Sequence, residues 1–333
     1  MLSAVGTIGK SYVVKNDDRF YYKDASVLCL QNIHSLNSSY IQLVLSSQLV
    51  QEQMYDKSKG TTVDTITIEK VGEYTFPLPP LAEQIRIVGA VGQWFDVADN
   101  LESNKQDLQE TVLQAKSKVL ELAIQGKLVP QDPNDEPAAE LLKRIAPHAV
   151  PCDTSHYENL PKTWCVAHMG DVYNHTTGKA LKKTDSTGEL RQSITTSNVY
   201  WNNFDFTEVR SMYFTEKELD KCTAHKGDLL VCNGGDVGRA AIWDYDYDIC
   251  YQNHISRLRP KSDDIVFNPF YSYLFRYLKD KGQLNGKGVA ITSLSAVDIQ
   301  SLPIPLPPLF EQKRIVERIE TIFAQLDSIT AEL

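Results

Sequence analysis

The sequence predicts an α+β protein: mixed α/β domains with long antiparallel coiled-coil helices, made by internal duplication. Three observations predict it. PLPPLAEQIRIV begins at Pro77 and PLPPLFEQKRIV at Pro305, 228 positions apart, and ten of fifteen positions from Pro77 match their counterparts. Behind the first copy runs an apolar seam close to heptad spacing. Between Leu160 and Pro260 the residues alternate in the manner of strands.

In each copy of the repeat, prolines fix an extended approach and then open a helix, since proline is tolerated in the first turn. Glu83 and Glu311 fall in that turn, where the helix dipole favours negative charge. The first helix is expected over 80–126, with Gly126 as its stop and Pro130, Pro133 and Pro137 beyond it. At 1.5 Å per residue it is roughly 65–70 Å long. Its expected packing residues are Leu81, Ile85, Val88, Phe95, Leu101, Leu108, Val112, Val119 and Leu122. A shorter mate over 309–333 offers Leu309, Ile315, Ile319, Ile322 and Leu326.

The duplication extends upstream of the helices. Gly6-Thr-Ile-Gly9-Lys10 pairs with Gly235-Asp-Val-Gly238-Arg239, and Lys59-Gly60 with Lys287-Gly288. NSSYIQLVLSS from Asn37 pairs with NPFYSYLFRYL from Asn268. The second of these reads as a helix with Asn268 at the N-cap and Pro269 at the first helical position. LPKTWCVAHMGDVYN, from Leu160, reads as a turn and a strand; RQSITTSNVYW, GDLLVCNGG, VGRAAIWD and DICYQNHISRLRP continue in strand fashion. VAITSLSAVDIQSLPIPLPP reads as short strand and proline exit. The first copy has only five residues before its Gly6, so it is expected to lack its front.

Composition narrows the functional classes. With 42% hydrophobic and 23% charged residues in 333, the chain is an ordinary globular one. No apolar run reaches the roughly 20 residues a membrane helix needs, and the N-terminus lacks the pattern of a signal peptide, so no membrane partner and a cytoplasmic location are expected. A net charge of −9 argues against non-specific polyanion binding, though not against basic residues gathered on one face. The six cysteines form no CxxC pair and are expected to be reduced; Cys165/His168, Cys222/His225 and Cys250/His254 lack a second close ligand pair, so no metal is expected.

Two motifs have plainer readings. GTIGKS at Gly6 would need a glycine at position 4 to be a phosphate loop, but Ala4 stands there. NPFY at Asn268 brushes against the NPPY signature of adenine methyltransferases, yet no glycine-rich cofactor turn precedes it, and helix capping explains it better. No Ser-His-Asp, paired-carboxylate or metal-dependent nuclease constellation is evident, so no catalytic residue is assigned.

What remains is a polar and aromatic loop set: Lys179, Lys182, Lys183, Arg191, Gln192, Ser197, Asn198, Tyr200, Asn233, Arg239, Gln252, Asn253 and Lys287. Arginine pairs with guanine edges, asparagine and glutamine with adenine, lysine with phosphate. These residues are the candidate DNA-binding set, with Lys182 and Lys183 the expected phosphate contacts.

The duplicated PLPPLxEQxRIV, the paired GxxG-[KR] turns, the segment LPKTWCVAHMGDV and the helix exit QGKLVPQDPNDEPAAELLKRI together resemble the specificity subunit of type I restriction–modification systems. The resemblance implies two target recognition domains alternating with conserved helical regions. Here they would be a partial first domain over 1–76, a central helical spacer over 77–130, a linker over 131–156, a second domain over 157–302 and a shortened helix over 303–333. It implies partners: double-stranded DNA, methylase and restriction subunits, and self-association through the helices. It places S-adenosylmethionine, ATP and Mg on those partner subunits and none in this chain, which performs no chemistry. The rival reading is a scaffold or decoy that binds methylase subunits through its helices and reads no DNA.

Overall fold

The computed structural model describes residues 1–22, 26–56, 65–149, 152, 157, 159–181, 186–284 and 293–331. It forms two compact units, Met1–Gln106 and Asp107–Leu333.

In the first unit, β1 (Leu2–Ser3) and β2 (Val27–Leu28) pair antiparallel. Helix α1 (Ser38–Ser46) is capped by Asn37, whose side chain accepts from the Tyr40 amide. Then come α2 (Gln48–Asp56), α3 (Ile68–Gly72) capped by Thr67, and the start of α4 (Leu81–Ile124). Leu2, Ile8, Tyr40, Val44, Val50 and Met54 form the core.

The second unit holds the rest of α4 and the remaining elements. In order they are α5 (Ala138–Ile145), β3 (Cys165–His168), α6 (Met169–Val172), β4 (Tyr173–Thr177), β5 (Glu189–Ile194), β6 (Val199–Tyr200) and β7 (Asn203–Phe204). They continue with β8 (Arg210–Phe214), α7 (Glu216–Cys222), β9 (Thr223–Ala224), β10 (Leu229–Cys232), β11 (Ala240–Ile242), β12 (Ile249–Tyr251) and β13 (Ile255–Pro260). Last come α8 (Asn268–Asp280), α9 (Ala296–Gln300), β14 (Pro303–Leu306) and α10 (Leu309–Ala331). One sheet runs β11-β10-β13-β4 and the other β8-β5-β12-β9; only the β5–β12 pairing is parallel. Strands β3 and β14 pair antiparallel. The main core joins Phe270, Tyr271, Leu274 and Phe275 of α8 to Met169, Val172 and Tyr173, and to Ile315 and Ile319 of α10.

Both units build the repeat in the same way. The Gln84 carboxamide accepts from the Asn37 amide and donates to Pro79 O, both at 2.9 Å. Gln312 accepts from the Phe267 amide at 2.7 Å and donates to Pro307 O at 2.9 Å and Ile265 O at 2.8 Å. This glutamine ties the first turn of its helix to the proline run and to the start of an earlier helix. That double duty explains why EQ follows PLPP twice. The GxxG turns also agree: φ is +76° and +83° at Gly6 and Gly9, and +70° and +85° at Gly235 and Gly238, a region that favours glycine. The Ile66 amide donates to Ala4 O at 2.9 Å, as the Leu294 amide does to Asn233 O at 2.8 Å.

The structure corrects several expectations. Because the two glutamines grip Asn37 and Phe267, α1 and α8 align one residue away from the NxxY match. Tyr40 corresponds to Phe270, and Ile41 to Tyr271. The cap of α8 is Phe267, and Asn268 is already helical. LPKTWCVAHMGDVYN is two strands flanking a one-turn helix, because Asp171 closes a capping box at His168. The presumed linker contains α5, whose Ala138 and Leu141 join the main core.

The seam on α4 is built only in its second half. There Val112, Leu120, Ala123 and Ile124 are buried, and Leu108, Val119 and Leu122 are half-buried. Lys116 pairs with Asp327 and lies over the Phe323 ring, 5.2 Å from its centroid, while Gln131 bonds Glu311. Later residues on one side therefore meet earlier ones on the other, as antiparallel packing requires. On α10, Ile315 and Ile319 are buried; Leu309, Ile322 and Leu326 are half-buried. Leu81, Ile85, Phe95 and Leu101 are exposed, contrary to expectation, and Val88 packs with Ile87 on the first unit's own core. Heptad spacing marks a face that can pack, but burial needs a facing surface.

Candidate nucleic-acid interface

In the second unit several loops leave one end of the two sheets together. Cys232 ends β10, Ile194 ends β5, Thr177 ends β4, and Gln252–His254 links β12 to β13. Main-chain bonds stitch the loops: Gln252 N to Ile194 O at 3.0 Å, Asn253 N to Lys179 O at 2.9 Å, and Asn233 N to His254 O at 3.0 Å. Gly234 is pressed so close to His254 that a Cβ there would sit 2.7 Å from the imidazole Nδ1. The rim is thus rigid backbone presenting short polar side chains.

Cations lie on aromatic rings along this rim. The Arg239 guanidinium sits 5.0 Å from the Tyr200 ring centroid and donates to Thr196 O, tying the β10–β11 loop to the loop after β5. Arg276 and Lys279, on successive turns of α8, sit 5.0 and 5.8 Å from the Trp201 ring centroid. Lys279 also pairs with Asp236 of the β10–β11 loop. Such pairs hold long basic side chains in place; Arg276 and Lys279 keep part of their charge at the surface, while Arg239 is mostly buried.

The predicted residues divide by role. Ser197, Tyr200, Arg191 and Gln192 are exposed; Gln252 and Asn253 are half-buried on the rim. Arg191 bonds Glu189 at 2.9 Å on the same strand. Lys179 is buried, its ammonium donating to Tyr213 O at 2.6 Å and Glu218 at 2.8 Å. That bond holds the Glu218 carboxyl below its ordinary pKa. Asn198 is also internal. Its oxygen accepts from the Thr195 amide at 2.9 Å, and its nitrogen donates to Asp205 O and Glu208 O, both at 2.8 Å. Asn233 is buried and donates to Ser256 Oγ at 2.9 Å. These three side chains shape the rim from within. Lys182, Lys183 and Lys287 lie outside the described residues. Sequence reasoning missed Arg276 and Lys279. Their three-residue spacing in FRYLKDK, beside the WNN turn they stack on, was the available signal.

Among the described residues no group of three His, Cys, Asp or Glu side chains is placed to hold a metal ion, and none of the helices is long and apolar enough to cross a membrane.

The architecture is a helix-terminated module present twice, with a polar rim of loops on the second copy. Residues 1–110 and 161–333 match the family described as the type I restriction modification DNA specificity domain, and the chain belongs to that family. It is 25% identical over 337 residues to the specificity subunit of the type I restriction enzyme EcoEI of Escherichia coli, covering 78% of this chain and 55% of that protein. It is 22% identical over 325 residues to the putative MjaX specificity subunit of Methanocaldococcus jannaschii, covering 95% of this chain and 68% of that one. Among solved structures, the HsdS subunit of Thermoanaerobacter tengcongensis shares the fold with a TM-score of 0.52 at 20% identity, over 88% of this chain and 64% of that one. A chain from a study of complex assembly in the type I R-M system gives 0.55 at 21% identity, over 89% and 66%. The chain spans 51% to 61% of the length of the Escherichia coli relatives it matches.

Proposed function

We propose that the chain reads DNA sequence through the loop rim of its second module, and that it directs adenine methylation and restriction by partner subunits. It carries no catalysis of its own. S-adenosylmethionine, ATP and Mg belong to the partner enzymes, and the assembly works in the cytoplasm. The observation that carries the reading is the convergence of the Thr195–Asn202, Asn233–Arg239 and Gln252–His254 loops with the stacked cations Arg239, Arg276 and Lys279. Short polar side chains on rigid backbone suit base edges, and flanking cations suit phosphates. Exposed Trp94, Phe95 and Leu101 on α4 give the methylase subunits an apolar surface to dock on.

The test is a fluorescence titration of duplex DNA with the chain plus its methylase subunit, at several salt concentrations. Arg276→Ala with Lys279→Ala should weaken binding and reduce the salt slope by about one to two, since each lost phosphate contact removes roughly one. Lys182→Ala, Lys183→Ala, Arg191→Ala and Arg239→Ala should weaken binding too. Unchanged binding by folded variants contradicts the assignment. The scaffold reading is favoured by the first unit, where the one sheet among the described residues has two two-residue strands. It predicts methylase binding with no preference among DNA sequences.

A further inference from the structure

The carboxamides on the rim are of two kinds. Asn198 spends both ends of its side chain inside the protein, and the Asn233 amide nitrogen donates to Ser256 Oγ and to Asn253 O. Gln252 and Asn253 differ. Both are half-buried, yet neither carboxamide has a hydrogen-bond partner among the described residues. They sit on a tight turn between β12 and β13, closed by the Ile255 amide donating to Gln252 O at 2.9 Å. The turn is braced from three sides. Gln252 N donates to Ile194 O at the end of β5, Asn253 N to Lys179 O after β4, and the Asn233 side chain to Asn253 O at 3.3 Å. Gly178 passes so close that a Cβ there would run into Tyr251 O and Gln252 O. The main-chain N–H groups of Gln252 and Asn253 and the carbonyls of Gln252, Asn253 and His254 are thus all taken. What the turn has left to offer is its side chains.

We infer, resting on the reading that this rim binds DNA, that the Gln252–His254 turn is its base-selecting element and that Gln252 and Asn253 select adenine. A carboxamide presents one donor and one acceptor side by side. In the major groove only adenine offers the matching N7 acceptor and N6 donor on a single base. A half-buried polar group without a partner is costly, and a base edge supplies the partner. The turn is fixed before DNA arrives, so little ordering is needed on binding. A base read in this way stays stacked, so it is not the adenine that a methylase flips out. The stacked cations Arg276 and Lys279 carry charge without such a pattern and suit phosphate instead.

The test is methylation-aware sequencing of DNA from cells carrying the full chain with its methylase subunit, as wild type and as the double variant Gln252→Ala with Asn253→Ala. The wild-type half-site should contain an A·T pair, other than the methylated one, at which the variant accepts other bases. Discrimination there should fall about tenfold or more, and little elsewhere. Gln252→Glu and Asn253→Asp keep the shape and lose the donor, so each should move the preference from adenine towards cytosine. Since neither side chain bonds within the protein, these variants should melt like the wild type. In a DNA titration of the assembled complex the double alanine variant should keep the wild-type salt slope, because no phosphate contact is lost. Arg276→Ala with Lys279→Ala should reduce the slope and leave the motif unchanged. Three outcomes overturn the inference: an unchanged motif in the double alanine variant, relaxation at a G·C pair instead, or uniform weakening on all sequences with a reduced slope, which makes the turn a phosphate contact. A wild-type complex that methylates without sequence preference overturns the proposed function as well, whereas an unchanged motif in the variant overturns this inference alone.

Discussion

The two modules share a helix clamp, a glycine turn and a proline exit, yet one is a filled core and the other an open cleft. In the second, Phe275 lies among Phe270, Tyr271, Leu274 and the segment before β4. In the first, its counterpart Leu45 lines the cleft. The duplicated local devices form in both. What differs is how much non-local surface each has to bury, and that decides how much stability each local device adds.

The comparison can be sharpened by paired substitutions, each read in its own unit by hydrogen exchange, since two units need not unfold together. The largest effect is expected for Phe275→Ala, about 3–5 kcal/mol for a fully packed aromatic, against about 2 kcal/mol for Leu45→Ala beside an opening that can relax. Equal losses would mean the first module is as tightly built as the second. Next is Gln312→Ala. It leaves one amide and two carbonyls without their partner and should cost roughly 3 kcal/mol, while Gln84→Ala removes two such bonds and should cost about 1–2 kcal/mol. A third pair should show no difference. Gly6→Ala and Gly235→Ala, where an added Cβ meets nothing closer than 3.9 Å, both force a left-handed residue and should each cost about 1–2 kcal/mol; a large asymmetry would break the equivalence of the turns. The smallest effect concerns pH. Hydrogen bonds from Lys118 and Lys281 hold the Glu121 carboxyl down at about 2. A lowered folded pKa stabilises above the ordinary value near 4.5, and that stability fades as pH falls towards 2. Acid titration of the second unit should show that slope, and Glu121→Gln should flatten it.

Much of this was legible in the chain. The repeat identified the duplication because its glutamine has a job that any copy must repeat. The strands of the second module were legible as short apolar runs between turns; β10, β12 and most of β13 are buried on both faces, so alternation is weak there. The register of α1 against α8 was not legible: NxxY matches by identity, but the clamp acts through backbone amides, which the letters do not show. Nor was α6, because one turn gives no period to detect. The seam on α4 was over-read for a related reason. Leu81 to Leu122 carry the spacing of a packed face, and spacing cannot say where the facing helix runs. At the rim, residue type misled at Lys179 and Asn198. A lysine and an asparagine in a polar loop read as DNA contacts, and both are spent on internal hydrogen bonds.

The central claim is that recognition belongs to the filled module. Hydrogen exchange on the chain with its methylase subunit, with and without duplex DNA carrying the methylated site, tests it directly. The account predicts DNA-dependent protection at 195–202, 233–239 and 252–254. Protection confined to the first unit, or none at those three loops while DNA is bound, would contradict it.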